Sequence, residues 1–193
     1  APGLLMMTVL QNAFANTSSS LMISKGQGNI VDTLMPPLSP AELVIGYIAG
    51  GVARGVLVAV FIAVVLMIVL GHGLAHPLWA LVFAALGSAF LGGLGIVAAI
   101  AAEKFDHMAA ITNFIIVTLS FLSGTFYSIE RLPPLMQTIT HLNPVFYLID
   151  GVRYGFIGVS DSSPWLGLVV CLVSTAAVLG LCWHWFRTGY RLK

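Results

Sequence analysis

Charge is what this sequence has least of. Of its 193 residues only 8% are charged while 59% are hydrophobic, and the mean hydropathy is +1.00. A soluble domain carries about 25% charged residues to keep its surface wetted, so this composition excludes a water-soluble globule and defines a polytopic helical membrane protein. The formal net charge of +1 leaves no basic stripe to neutralise phosphates, which excludes nucleic acid as a partner. There is no G-x-x-x-x-G-K-S/T run, so the chain holds no P-loop for nucleotide phosphates.

Cysteine is almost as scarce. Cys171 and Cys182 share the last apolar run, about 16 Å apart along one helix, too far to bond to each other, and are expected to be buried core thiols. The histidines, His72, His76, His107, His141 and His184, are scattered near segment ends without metal-ligand spacing. Ser123-Gly124 invites comparison with an intramembrane serine protease, but Phe121 stands where the pattern needs its first glycine. Every carboxylate falls in a loop or between spans, which counts against an ion-coupled carrier with acidic residues at the midplane.

What is present is a succession of long apolar runs, expected to span the membrane at about 2–23, 43–70, 78–102, 108–127 and 165–186. The first is diluted by Gln11, Asn12, Asn16 and Thr17-Ser18-Ser19-Ser20, and its polar side is expected to face other helices. A short amphipathic segment over 28–35 comes next, with Ile30, Val31, Leu34 and Met35 on one face and Asn29, Asp32 and Thr33 on the other. Ser39-Pro40-Ala41-Glu42 is a capping box with proline at the first helical position, so a helix starts at Pro40. That helix reaches Leu70, about 45 Å, and its first turns project from a core of about 30 Å. Arg54 falls about one turn inside the core, where it either snorkels or lines a polar cavity. Gly46, Gly50, Gly51 and Gly55 form two small-xxx-small pairs suited to close helix contact, and Ala85, Ala89 and Gly93 form a small-residue ridge on the next span. Asp106 is a candidate N-cap for the span after that, and Ser163-Pro164 marks the start of the last.

Between the last two spans lies a stretch unlike the others. Pro133-Pro134 and Asn143-Pro144 cut it into helical pieces too short to cross, and Glu130, Arg131, Asp150 and Arg153 sit among its apolar residues. Such a pattern fits a re-entrant or interfacial hairpin over about 128–158. Asp150 and Arg153 are i, i+3 and form either a local ion pair or a gating pair that changes partner. Basic residues set the orientation: Lys25, Lys104, Arg187, Arg191 and Lys193 lie at one set of ends, Arg131 and Arg153 at the other. The first set is expected in the cytoplasm with the C-terminus, and the hairpin outside. The chain opens on Ala1 with no signal-peptide pattern, so it reads as a fragment lacking at least one upstream span.

Several of these stretches carry a resemblance. Ser123-Gly124-Thr125-Phe126-Tyr127-Ser128, Leu132-Pro133-Pro134, His141-Leu142-Asn143-Pro144, Tyr147, Asp150-Gly151 and Arg153-Tyr154-Gly155 resemble the ABC-2 type transporter permeases, in particular the YadH-like bacterial inner-membrane group. Gly28-Asn29-Ile30-Val31-Asp32 through Pro36 and Ser39-Pro40 extends the match, as does Gly50-Gly51-Val52-Ala53-Arg54-Gly55. The resemblance covers essentially the whole chain. It implies an all-α permease subunit with five transmembrane helices present and six expected in the full subunit. The hairpin would be an outer gate containing Ser123, Gly124, Phe126, Pro133, Pro134, Asn143, Pro144, Tyr147, Asp150 and Arg153. The loop helix, with Gly28, Asn29, Ile30, Asp32, Leu34 and Pro36, would couple to a separate ABC ATPase that binds ATP and Mg, its Ile30 and Leu34 docking in a groove there. A second permease copy, the lipid bilayer and a hydrophobic or amphipathic cargo (drug, lipid or lipid-linked glycan) complete the implied system. The permease binds no cofactor itself and is not an enzyme. An ion-coupled secondary carrier and a non-transport helical scaffold are the alternatives to it.

Overall fold

Proline opens most of the long elements. Pro40, Pro77, Pro134, Pro144 and Pro164 begin α3 (Pro40–Leu70), α4 (Pro77–Ala101), α6 (Pro134–Leu142), α7 (Pro144–Ile157) and α8 (Pro164–Thr188). The first helical position needs no amide hydrogen, and the proline ring sets φ there in advance. The remaining elements are α1 (Pro2–Gly26), α2 (Ile30–Leu34), α5 (Phe105–Phe121) and a 3-10 turn at Ile129–Arg131. The computed structural model describes residues 2–71, 73–121, 123 and 129–190, and for 33, 34, 120 and 129 the backbone alone. The described residues form helices and connecting turns, with no strand among them.

Three of these helices, α3, α4 and α8, are long and apolar enough to cross a bilayer, and α5 is a shorter apolar helix. The start of α3 is as expected: Glu42 N donates to Ser39 Oγ at 3.3 Å, and Ser39 N donates to Glu42 Oε2 at 2.6 Å. Asp106 differs from expectation. The helix begins at Phe105, so Asp106 lies within its first turn and not at its cap.

The core sits on α4. Just over half (56%) of its most apolar stretch is buried, against 22% for α8 and 11% for α3, so α3 and α8 present their apolar sides outward. Around α4 pack α1, α3, α7 and α8. Met6, Phe14 and Leu21 of α1, Phe83, Ile96 and Ile100 of α4, and Phe146, Leu148 and Ile149 of α7 are the large side chains at its centre. Helices come close where side chains are small. Gly87 and Gly95 of α4 face Met6 and Thr17 of α1, Gly93 faces Val178 of α8, and Gly151 of α7 faces the Phe83 ring. Of the two glycine pairs expected on α3, Gly51 and Gly55 lie in the bundle against Thr17 and Ser88. Gly46 meets nothing within 4 Å, and Gly50 meets only the Asn16 amide at 3.5 Å.

The two ends of α4 are tied differently. At its start, His76 N donates to Gly155 O at 2.8 Å and Ala75 N to Phe156 O at 3.3 Å, joining the α3–α4 loop to the end of α7. At its finish, Lys25 Nζ on the last turn of α1 donates to the carbonyls of Ala99, Ile100 and Ala102 at 3.0, 3.2 and 3.0 Å. These carbonyls belong to a helix end that has run out of its own donors, and a cation there also meets the negative end of the helix dipole.

The glycine contacts set up a contrast. A Cβ on Gly155 would lie 2.6 Å from the Ala80 nitrogen, whereas one on Gly46 would meet open space. Gly155→Ala is expected to lower stability by about 1–3 kcal/mol through backbone displacement, while Gly46→Ala stabilises slightly through helix propensity. Thermal unfolding of the purified protein in detergent distinguishes the two.

Candidate functional site

The broken hairpin resolves into unequal halves. Asn143 separates them: its Oδ1 accepts from Val145 N at 3.0 Å and caps α7, while its Nδ2 reaches Leu119 O on α5 at 3.4 Å. Helix α7 is a core element. Val145 through Val152 are buried, and it packs on α4, α8 and α1. Tyr147 is buried with it, against Gly167 of α8. Among the described residues helix α6, by contrast, packs mainly on α7 and the 3-10 turn, and exposes Leu135, Met136, Ile139 and Leu142. Pro133 and Pro134 at its start are exposed as well.

Asp150 does not pair with Arg153. Its carboxylate, 2% exposed, accepts four hydrogen bonds from the α7–α8 connection: Ser160 Oγ at 2.8 Å, Asp161 N at 2.9 Å, Ser162 N at 3.0 Å and Ser162 Oγ at 3.2 Å. Arg153 reaches the other way and pairs with Asp161 at 2.7 Å. The reason is geometric. Asp150 faces inward, where a buried carboxylate needs donors, and the chain turns back after Gly158 in the left-handed conformation (φ 78°) to supply them. The expected local ion pair is thus replaced by a knot that fastens the start of α8 to α7. Sequence reasoning missed Ser160, Asp161 and Ser162; the polar run Ser160-Asp161-Ser162-Ser163 before Pro164 was their only signal.

At the other end of the bundle, Gly28 (φ 73°) turns the chain from α1 into α2. Asn29 Nδ2 donates to Gln27 Oε1 at 3.2 Å, and the Asn29 side chain does not cap α2. Ile30, expected on the docking face, is instead buried in the core, because α2 lies against the end of α1. The exposed members of the segment are Gly28, Asn29, Val31, Asp32, Met35 and Pro36. The Leu34 side chain, Gly124, Phe126, His72 and residues 191–193 lie outside the described residues. Ser123 is buried.

Arg54 stands one turn beyond Gly51, which is level with Gly92, nine residues or about 14 Å from the end of α4 at Ala101. Arg54 is exposed on the side of α3 and donates to Asn16 Oδ1 at 3.4 Å. Cys171 and Cys182 are free and buried, Cys182 against Gly93 O at 3.3 Å. Among the described residues no three metal-ligating side chains come together.

This fold places the chain among multi-span helical membrane proteins, and its relatives supply the family. The sequence model of the ABC-2 type transporter matches residues 1–157. Over 192 residues, all of this chain and 75% of the relative, it is 33% identical to the inner membrane transport permease YadH of Escherichia coli (strain K12), and equally to that of Shigella flexneri. It is 36% identical to nodulation protein J of Neorhizobium galegae over 93 residues, 47% of this chain and 35% of that protein. The chain belongs to the ABC-2 type transporter family. That family is one of transport permeases, and the apolar helices of this chain are those of a multi-pass membrane protein.

The Asp150 knot and the Arg153–Asp161 pair differ in burial, and so in worth. Asp150→Ala strands several donors and is expected to cost on the order of 3 kcal/mol, opening the 158–163 loop to limited proteolysis. Arg153→Ala removes a partly exposed pair worth about 0–1 kcal/mol, and proteolysis stays at the wild-type rate.

Proposed function

We propose that this chain is the membrane half of an ATP-driven exporter. It works with a second permease copy and with separate ABC ATPase subunits that bind ATP and Mg. It moves a hydrophobic or amphipathic cargo, a drug, lipid or lipid-linked glycan, across the cytoplasmic membrane. The spans are α1, α3, α4, α5 and α8, with α2, the α4–α5 loop and the C-terminus on the cytoplasmic side. Family membership supports the pairing with an ATPase, since permeases of this family usually work with one.

The observation that carries the reading is the junction of α2 and α3. An exposed Val31, Asp32 and Met35 stand on a short helix that leads, through Pro36-Pro37, into a helix of 31 residues held at its first turn by the Ser39–Glu42 box. A push on α2 is transmitted along a rigid rod into the bilayer. With Ile30 turned inward, Val31 and Met35 are the apolar contacts offered to the ATPase and Asp32 is the charge offered to a basic partner. On the outer side, α7 is the fixed part of the gate hairpin and α6 the part free to move. Pro133 and Asn143 are its hinges, because each places extended backbone between helical pieces.

The double variant Asp32→Arg, Met35→Asp is expected to abolish co-purification of the ATPase subunit while the permease still inserts and folds. Undiminished co-purification would sink the coupling role of α2.

A further inference from the structure

The sequence places a polar side on helix α1 and turns it toward other helices, and in the structure it does so only in part. Thr17 is buried and donates to Gly92 O on α4 at 2.8 Å. Ser18 is buried as well, whereas Thr8, Gln11, Asn12, Asn16, Ser19 and Ser20 are exposed or half-buried along the opposite side. They recur every three or four residues, so they form one stripe. A cleft of about 320 Å3, lined by Asn16, Ser20, Glu42 and Tyr47 together with Leu38 and Leu43, separates the stripe from α3, where the open Gly46 and the Asn16-covered Gly50 lead along the helix to Arg54.

This stripe runs alongside α4, a helix long and apolar enough to cross a bilayer. Helix α1 runs beside α4 from Met6 against Gly87, through Thr17 against Gly95, to Lys25 at Ala102. A guanidinium and a ladder of amides and hydroxyls facing acyl chains there would cost several kcal/mol, so this face meets water or polar groups. Among the described residues no carboxylate stands within ion-pair reach of Arg54. Glu42, three turns earlier on the same helix, is held by Ser39. Beyond Arg54, α3 turns outward the apolar Leu57 and Phe61, 71% and 70% exposed.

We propose that the α1/α3 face lines a water-filled route through the bilayer, and that Arg54 with Asn16 holds the anionic group, a phosphate or carboxylate, of an exported amphiphile. The proposal rests on the exporter reading and adds to it the chemical class of the cargo. A guanidinium meets a phosphate or carboxylate with two parallel donors. Ser20, Asn16, Asn12 and Thr8 repeat at steps of about 6 Å, so a head group leaving one polar side chain finds the next. The tail travels beside Leu57 and Phe61, on the apolar face of the same helix.

The test uses the permease with its ATPase in phosphatidylcholine vesicles, with Cys171 and Cys182 replaced by Ala and one cysteine introduced at a time. Asn12→Cys and Ser20→Cys are labelled from water with the anionic sulfonatoethyl or the cationic trimethylammonioethyl methanethiosulfonate, and Phe61→Cys is the lipid-facing control. Both α1 cysteines are expected to react at least about tenfold faster than the control and to prefer the anionic reagent. Arg54→Gln is expected to remove the preference and leave the labelling. Labelling as slow as Phe61→Cys overturns the water-filled route, because another helix or acyl chains then cover the stripe. Equal rates with both reagents, unchanged by Arg54→Gln, overturn the anion site. A preference that vanishes when phosphatidylglycerol is added assigns Arg54 to a bilayer head group and overturns the cargo assignment. Co-purification of the ATPase, followed on the same preparation, reports on the exporter reading independently of the labelling.

Discussion

Close approach of helix backbones at α4 is the constraint on which the rest of the structure depends. In lipid there is no gain from hiding one apolar helix against another, so association comes from packing and from hydrogen bonds across the interface. Glycine supplies the first by removing the side chain that would hold helices apart. Gly51 and Gly55 on α3, Gly87 and Gly95 on α4, and Gly151 and Gly155 on α7 are the places where neighbours enter. The second is supplied by Thr17 on the Gly92 carbonyl, Cys182 on the Gly93 carbonyl and Lys25 on the carbonyls that end α4. Backbone oxygens exposed beside glycine, or left without helical donors at the end of α4, thus become the acceptors that hold the bundle.

From this centre, fastening decreases outward in a way that suits a transporter. Helix α7 is wedged into the core and bound to the α3–α4 loop through His76 and Ala75, and Asp150 binds the start of α8 to it. These parts form one unit. Helix α6 hangs from that unit by Asn143 and has few other contacts. At the opposite end, α2 leans on α1 through Ile30 while its other side stays open. The elements proposed to move or to dock are the ones least held, and the elements between them are the stiffest. That ordering is what a push at one face and an opening at the other require.

Local chemistry made much of this legible in advance. The Ser39–Glu42 box, the helix start at Pro164, the breaks at Pro134 and Pro144, and the separation of the two cysteines depend on residues close together in sequence, and all stand in the structure. The resemblance of the hairpin and loop motifs pointed to the right family for the same reason, since motifs are local. Errors arose where a residue's partner lies on another element. Asp150 and Arg153 are well spaced for each other, yet a buried carboxylate takes the four donors that a returning loop brings to it. Ile30 belongs by periodicity to the apolar face of α2, and the position of α1 decided that it turns inward.

The sequence by itself determined the class of the protein, the starts of several helices and the family. Those depend on hydropathy, caps and motifs, each readable within a few turns of chain. Only the tertiary structure decided which side of each helix is inside. Gly46 and Gly50 are as small as Gly51 and Gly55, and Asn16 is as polar as Thr17, but a bundle can bury only one stripe of each helix against α4. The other stripe faces outward; on α1 it is polar, and on α3 it is largely apolar but carries Arg54. The choice of stripe depends on how all the neighbours of α4 fit at once, a sum over long-range contacts that no single window of sequence contains.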